Sequence, residues 1–122
     1  MLGIKTEGGG FAPLVFENVV DTYPGGVIVN VTGYNPPADG FIPEGTLIGR
    51  NTTTGIGVIV TNPASPGTNV KLLGLSYRPV KAEDNALVGV VISGTARIDA
   101  LPATEKAAAA AIATALPRIT LV

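Results

Sequence analysis

The sequence predicts a mainly β protein, a small barrel or sandwich-like domain, with one Ala-rich helix near its C-terminal end and an extended N-terminal arm. Three observations lead there. Sixteen glycines and ten prolines fall in clusters at short intervals. The stretches between them are short and rich in Val, Ile and Thr. A single run, 106–115, is almost pure Ala. Pro presets the first central position of a turn and Gly supplies positive φ at the next, so each cluster reverses or breaks the chain. Many short strands separated by turn signals point to a barrel or sandwich.

Taken in order, residues 1–25 differ from the rest. Gly3, the triplet Gly8-Gly9-Gly10, Pro13 and Pro24 interrupt any long element, while Ile4, Phe11, Leu14, Val15, Phe16, Val19 and Val20 are apolar. The segment reads as an extended arm that docks on a partner or adds a strand to a neighbour, with Ile4, Phe11, Leu14 and Phe16 as anchors. A first strand packed within its own domain is the equal alternative. The β-rich domain proper is expected over 26–122. Turn clusters at Tyr23-Pro24-Gly25-Gly26, at 35–40 and at 62–67 separate strands expected at 27–31, 46–49, 56–61, 70–75, 87–93 and 95–99. Ser93-Gly94, between the last two, reads as a tight hairpin.

The helix is expected within 104–116. Thr104 can cap it, Glu105 suits the first turn, and Ala has the best intrinsic propensity. Leu116 precedes Pro117, whose ring disfavours the helical region one residue upstream, so the helix stops there. Ala108, Ile112 and Leu116 recur at i, i+4 and form a thin apolar face. Ile119-Thr120-Leu121-Val122 reads as a last strand or a buried plug.

The totals bound the chemistry. At 122 residues the chain fits one domain, which can hide about two thirds of the surface of its unfolded form. It is 46% hydrophobic and 14% charged, against about 25% charged in an ordinary globular protein. A surface so poor in charge suggests cover by a neighbour. Net charge is −1 and no run of Lys or Arg exists, so neither nucleic acid nor an anionic membrane is an expected partner. Met1-Leu2-Gly3-Ile4-Lys5 lacks the pattern of a signal peptide, and the seven apolar residues 107–113 are too few to span a bilayer.

With no His and no Cys, neither a Ser-His-Asp or Cys-His arrangement nor a zinc site with nitrogen or sulfur ligands can be built. Asp21-Thr22-Tyr23 lacks the Gly that would complete an aspartic-protease triplet. Asp39, Glu44, Glu83 and Asp84 sit beside turn residues, where acids ordinarily form turns. Nothing singles out Ser65, Ser76 or Ser93 for a Ser-Lys dyad. Gly55-Ile56-Gly57 and Gly45-Thr46-Leu47-Ile48-Gly49-Arg50 both miss the spacing of a phosphate loop. No catalytic, cofactor-binding or metal-ligating residue is assigned, no cofactor is expected, and the chain is not expected to be an enzyme.

Ile42-Pro43-Glu44-Gly45-Thr46-Leu47-Ile48-Gly49 resembles the entry strand of phage head decoration and head fibre proteins, small capsid-stabilising β-rich proteins. The run Ala86-Leu87-Val88-Gly89-Val90-Val91-Ile92-Ser93-Gly94-Thr95-Ala96-Arg97-Ile98-Asp99-Ala100-Leu101-Pro102 looks like their closing hairpin. The Ala-rich helix and Ala115-Leu116-Pro117-Arg118-Ile119 are similar too. The likeness spans 41–122. It implies a homotrimer on the outside of a bacteriophage capsid, bound to the major capsid protein, reinforcing it without catalysis. The location implied is the virion, after synthesis in the cytoplasm of the bacterial host. Head fibre relatives carry further domains after such a base. From another class, a bacterial β-rich ligand-binding or adhesion module is the alternative.

Overall fold

The structure is a computed structural model that describes residues 15–31, 34, 39–83 and 85–122. It is mainly β, as the composition and turn spacing predict. Ten strands are described: β1 (Phe16–Thr22), β2 (Val27–Asn30), β3 (Phe41–Ile42), β4 (Leu47–Asn51), β5 (Gly57–Ile59), β6 (Val70–Ser76), β7 (Val80–Lys81), β8 (Ala86–Val88), β9 (Val90–Ala96) and β10 (Ile119–Leu121). A 3₁₀ turn (Ile98–Ala100) and two helices, α1 (Ala103–Ala107) and α2 (Ala109–Ala115), precede β10.

Eight strands form one sheet in the order β1-β9-β6-β4-β5-β2-β8, and β10 runs parallel to β9 beside the stretch that β1 also pairs. Strands β8 and β9 lie near opposite ends of that order, yet Gly89 alone joins them. The sheet therefore has to curl back on itself, giving a half-barrel. Bulges supply the bend. Ile48 and Gly49 of β4 face Gly74 and Leu72 of β6, leaving Leu73 as the extra residue. At Gly74 a Cβ would stand 2.0 Å from the Val91 carbonyl oxygen, so no other residue fits. The short β3–β7 ribbon is a separate sheet.

Alternation along β4 organises the packing. Leu47 points into a core with Val15, Val60, Leu75, Leu101, Ile112, Leu116 and Ile119, which seats the helices on one face. Ile48 points into a second core with Val27, Val29, Ile42, Val88 and Val90, on the side covered by the ribbon. Both faces of the central strand are thus dry.

Several expectations are corrected. Of the two equal readings of the first segment, the strand packed within its own domain is the one seen over Phe16–Thr22: β1 pairs antiparallel with β9, Val15 is buried, and the Val15 carbonyl accepts the Arg97 N–H at 2.7 Å. The rest of that segment, with Ile4, Phe11 and Leu14, lies outside the described residues. No hairpin forms at Ser93-Gly94. Gly94 is interior to β9, where β1 comes so close that a Cβ would lie 2.4 Å from the Asn18 carbonyl oxygen. This glycine marks a close backbone approach instead of a turn. The expected strand 87–93 divides at Gly89 into β8 and β9, which pair with different neighbours. Thr104 does not cap the helix. Pro102 stands at the N-cap without a side-chain bond, and the helix is interrupted at Ala108, with φ −102° and ψ 15°. Its apolar face is as expected: Ile112 and Leu116 are buried and Ala108 packs against the same core.

Candidate functional site

A well-formed recess among the described residues lies between the start of α1 and the β3–β4 turn. That turn, 43–46, is locked by crossed hydrogen bonds. The Pro43 carbonyl accepts from the Thr46 hydroxyl at 2.6 Å and from the Ser76 hydroxyl at 2.8 Å. The Ser76 Oγ in turn accepts the Thr46 N–H at 3.0 Å. Gly45 has φ +86°, which suits glycine. Ser76, the one candidate serine that is fully buried, is therefore a strut of this turn.

Glu105 closes the recess from the helix side. At position N3 a glutamate ordinarily reaches back to the N–H of the N-cap residue. Here the N-cap is Pro102, which has no N–H to offer. The carboxylate reaches instead across to the sheet, where its Oε2 accepts the Leu47 N–H at 3.0 Å. Leu47 lies at the start of β4, where no residue of β5 is paired opposite it. Glu105 is only 4% exposed. Burial pushes its carboxyl above the ordinary range, against the opposing pull of the Leu47 N–H and of its own backbone N–H. The adjoining cavity of about 200 Å³ is lined by Glu105, Thr46, Thr61, Tyr34, Pro43 and Ile59 among others. The Tyr34 phenol is pushed up by burial first, then by the negative charges of Glu105 and Asp39.

A second, more open groove of about 430 Å³ runs along β1, between Phe16, Val19, Glu44, Tyr77 and Arg78. Phe16 meets the Tyr77 ring edge-on at 6.1 Å between centroids, and the Arg78 guanidinium lies 4.9 Å above that ring. Of the four expected partner anchors, Phe16 is thus half-buried on the wall of this groove. Ile4, Phe11 and Leu14 are outside the described residues. Burial also raises the Glu44 carboxyl, with the Val15 N–H and then Arg78 acting in the opposite sense.

A third feature is a row of apolar side chains on the outer surface. Ile28 of β2 stands directly opposite Leu87 of β8. On its other side the β2–β5 register pairs Val29 with Gly57 and thereby sets Ile56 beside Ile28. The three are 43% (Ile56), 49% (Ile28) and 61% (Leu87) exposed.

Asp39 forms a turn, and Glu17 and Asp21 find partners on the surface. Asp39 accepts the Phe41 N–H at 3.0 Å, and Asp21 pairs loosely with Arg118 at 3.8 Å. Among the described residues no three His, Cys, Asp or Glu gather in a metal-binding cluster. No helix among them is long and apolar enough to cross a membrane. No protein-family model matches the chain, and no curated protein matches it.

Sequence reasoning placed Glu105 in the first helical turn and missed its burial. The signal was there in Pro102: a proline three residues ahead of a helix-opening glutamate removes that glutamate's ordinary local partner.

Proposed function

We propose that the chain is a non-enzymatic structural protein of a bacteriophage particle, a decoration protein that binds the major capsid protein and stabilises the outside of the head. The observation that carries this reading is the exposed row Ile56, Ile28 and Leu87 on a surface otherwise poor in charge. Such a row beside polar surface is the usual mark of a contact site between proteins. The two ends of the sheet contrast in a way that supports it. Strand β1 is kinked by three register shifts and carries Glu17 and Asp21, features that blunt an edge. Strand β8 at the other end pairs with β2 without such shifts and presents Leu87 as part of the apolar row. The resemblance of 41–122 to decoration and head fibre proteins supplies the partner, and a homotrimer supplies the avidity that a lattice binder needs.

The test is co-sedimentation of the purified protein with phage capsids stripped of their decoration protein, alongside sedimentation equilibrium. Capsid binding that is lost in Ile28→Lys and Leu87→Lys, with both variants folded, supports the reading. Deleting residues 1–10 is expected to leave melting nearly unchanged and to weaken attachment. A 12.3 kDa monomer that ignores capsids at every concentration would overturn the proposal.

A further inference from the structure

The cavity beside Glu105 has no place in capsid attachment as proposed above. At about 200 Å³ it would hold roughly six waters at about 30 Å³ each. Pockets for drug-sized ligands start at about 300 Å³, so its capacity matches a group the size of one side chain. Pro43, Ile59 and Pro102 give it apolar walls, and Glu105 gives it a buried carboxylate.

That carboxylate is incompletely used. An ionised carboxylate offers about four acceptor positions. Here the Leu47 N–H takes one, and the residue's own N–H approaches another. The ion pairs among the described residues are Arg97 with Glu17 and Arg118 with Asp21, so Glu105 has no counter-ion there. A buried charge ordinarily needs one.

We propose that this cavity is a binding site for a primary ammonium carried on a short alkyl chain. An ammonium is favoured over a guanidinium because Oε2 is already engaged by Leu47, and the planar fork of a guanidinium binds best to two free oxygens. An ammonium has three rotatable donors and needs convergent acceptors. Beyond the carboxylate, the cavity supplies the Thr46 oxygen, whose proton is committed to the Pro43 carbonyl, and the Thr61 hydroxyl. The methylene stem would lie against Pro43 and Ile59. The proposal is independent of the capsid reading. The same ammonium can come from a lysine of a partner protein or from a free alkylamine.

The test is amide NMR of the full chain carrying Lys5→Ala, which removes the one lysine outside the described residues. The probes are n-butylammonium, n-butanol and Nα-acetyl-lysine methylamide. A saturable shift of the Leu47 amide with butylammonium and none with butanol is expected. Glu105→Gln, with an otherwise native spectrum, should weaken that binding about tenfold or more, the loss of a charged hydrogen bond. A lysine amide that binds at least as well as butylammonium points to a partner's side chain, and its exclusion points to a free amine. Either keeps the site. The absence of a saturable shift, equal response to butanol, or unchanged binding in Glu105→Gln overturns it.

Discussion

The Glu105 carboxylate accepts the backbone N–H of Leu47 at 3.0 Å, joining residues 58 apart in sequence and fastening the first turn of α1 to the central strand of the sheet. Both groups are buried. Leu47 does not line the recess beside Glu105, so its N–H is left buried without a partner if the carboxylate is removed, and the bond is worth more when broken than when made.

Glu105→Ala is therefore expected to cost about 1–3 kcal/mol, the penalty for a buried donor left without a partner. Glu105→Gln keeps an amide oxygen that can accept the same N–H and removes the buried charge. It should unfold at the same or higher urea concentration than the parent at neutral pH. Urea denaturation of the two variants, read side by side, checks the pair.

The pH dependence follows from the same residue. Burial raises the folded-state value of Glu105 above the ordinary carboxylate value of 4.5. A group raised in this way contributes its stability in full below the unfolded value and loses it as pH rises through the folded value. Glu44 is raised too and acts in the same direction. The parent should thus lose stability, relative to Glu105→Gln, as pH climbs upward from about 4.5. Melting curves of both proteins through the mildly acidic range give the difference directly. A gap that narrows with rising pH would contradict the raised carboxyl.

Ile112→Ala tests the seating of the helices. Ile112 is fully buried, and with Leu116 it supplies the large apolar side chains of a helix otherwise made of Ala and polar residues. A loss of about 2–5 kcal/mol is expected, the range for removing a buried Ile. Loss of helical circular dichroism before the β signal would show that the helices detach first.

Gly74→Ala probes the bulge that bends the sheet. The added Cβ would collide with the Val91 carbonyl at 2.0 Å, and backbone cannot rotate aside as a side chain can. A cost of about 1–3 kcal/mol or more is expected from forcing atoms into packed structure. By contrast, Gly25→Ala meets no atom within 4 Å and suffers only its positive φ of +77°. Comparing the two by chemical denaturation separates steric collision from conformational strain.

Much of the fold was legible because its signals are local. Val27–Asn30, Val70–Ser76 and Ile119–Leu121 lie where β-branched or aliphatic runs predict strands, and the turn at Tyr23-Pro24-Gly25-Gly26 closes with the Gly26 N–H on the Tyr23 carbonyl. The i, i+4 face of Ala108, Ile112 and Leu116 is the one that packs. What escaped is long-range. Gly94 looks the same in a hairpin and in a strand interior, and only the approach of Asn18 from β1 decides between them. Phe16–Thr22 mixes polar and apolar residues without a clean period because bulges break its alternation. Glu105 was visible as a helix-opening acid, but its partner lay 58 residues upstream.

The parallel pairing of β10 with β9 has a consequence for biosynthesis. Residues 94–96 are paired by β1 on one side and by β10 on the other. During translation β1 and β9 emerge well before β10, with the whole helical segment between. Throughout that interval one side of 94–96 stands open, next to a core still missing Ile112, Leu116 and Ile119. Open strand edges beside uncovered apolar surface are the places where nascent chains capture one another. At high expression the yield of this protein should therefore depend on how quickly residues 97–121 follow β9 out of the ribosome. Rare codons placed across 103–118 would divert it into aggregates without changing a single residue.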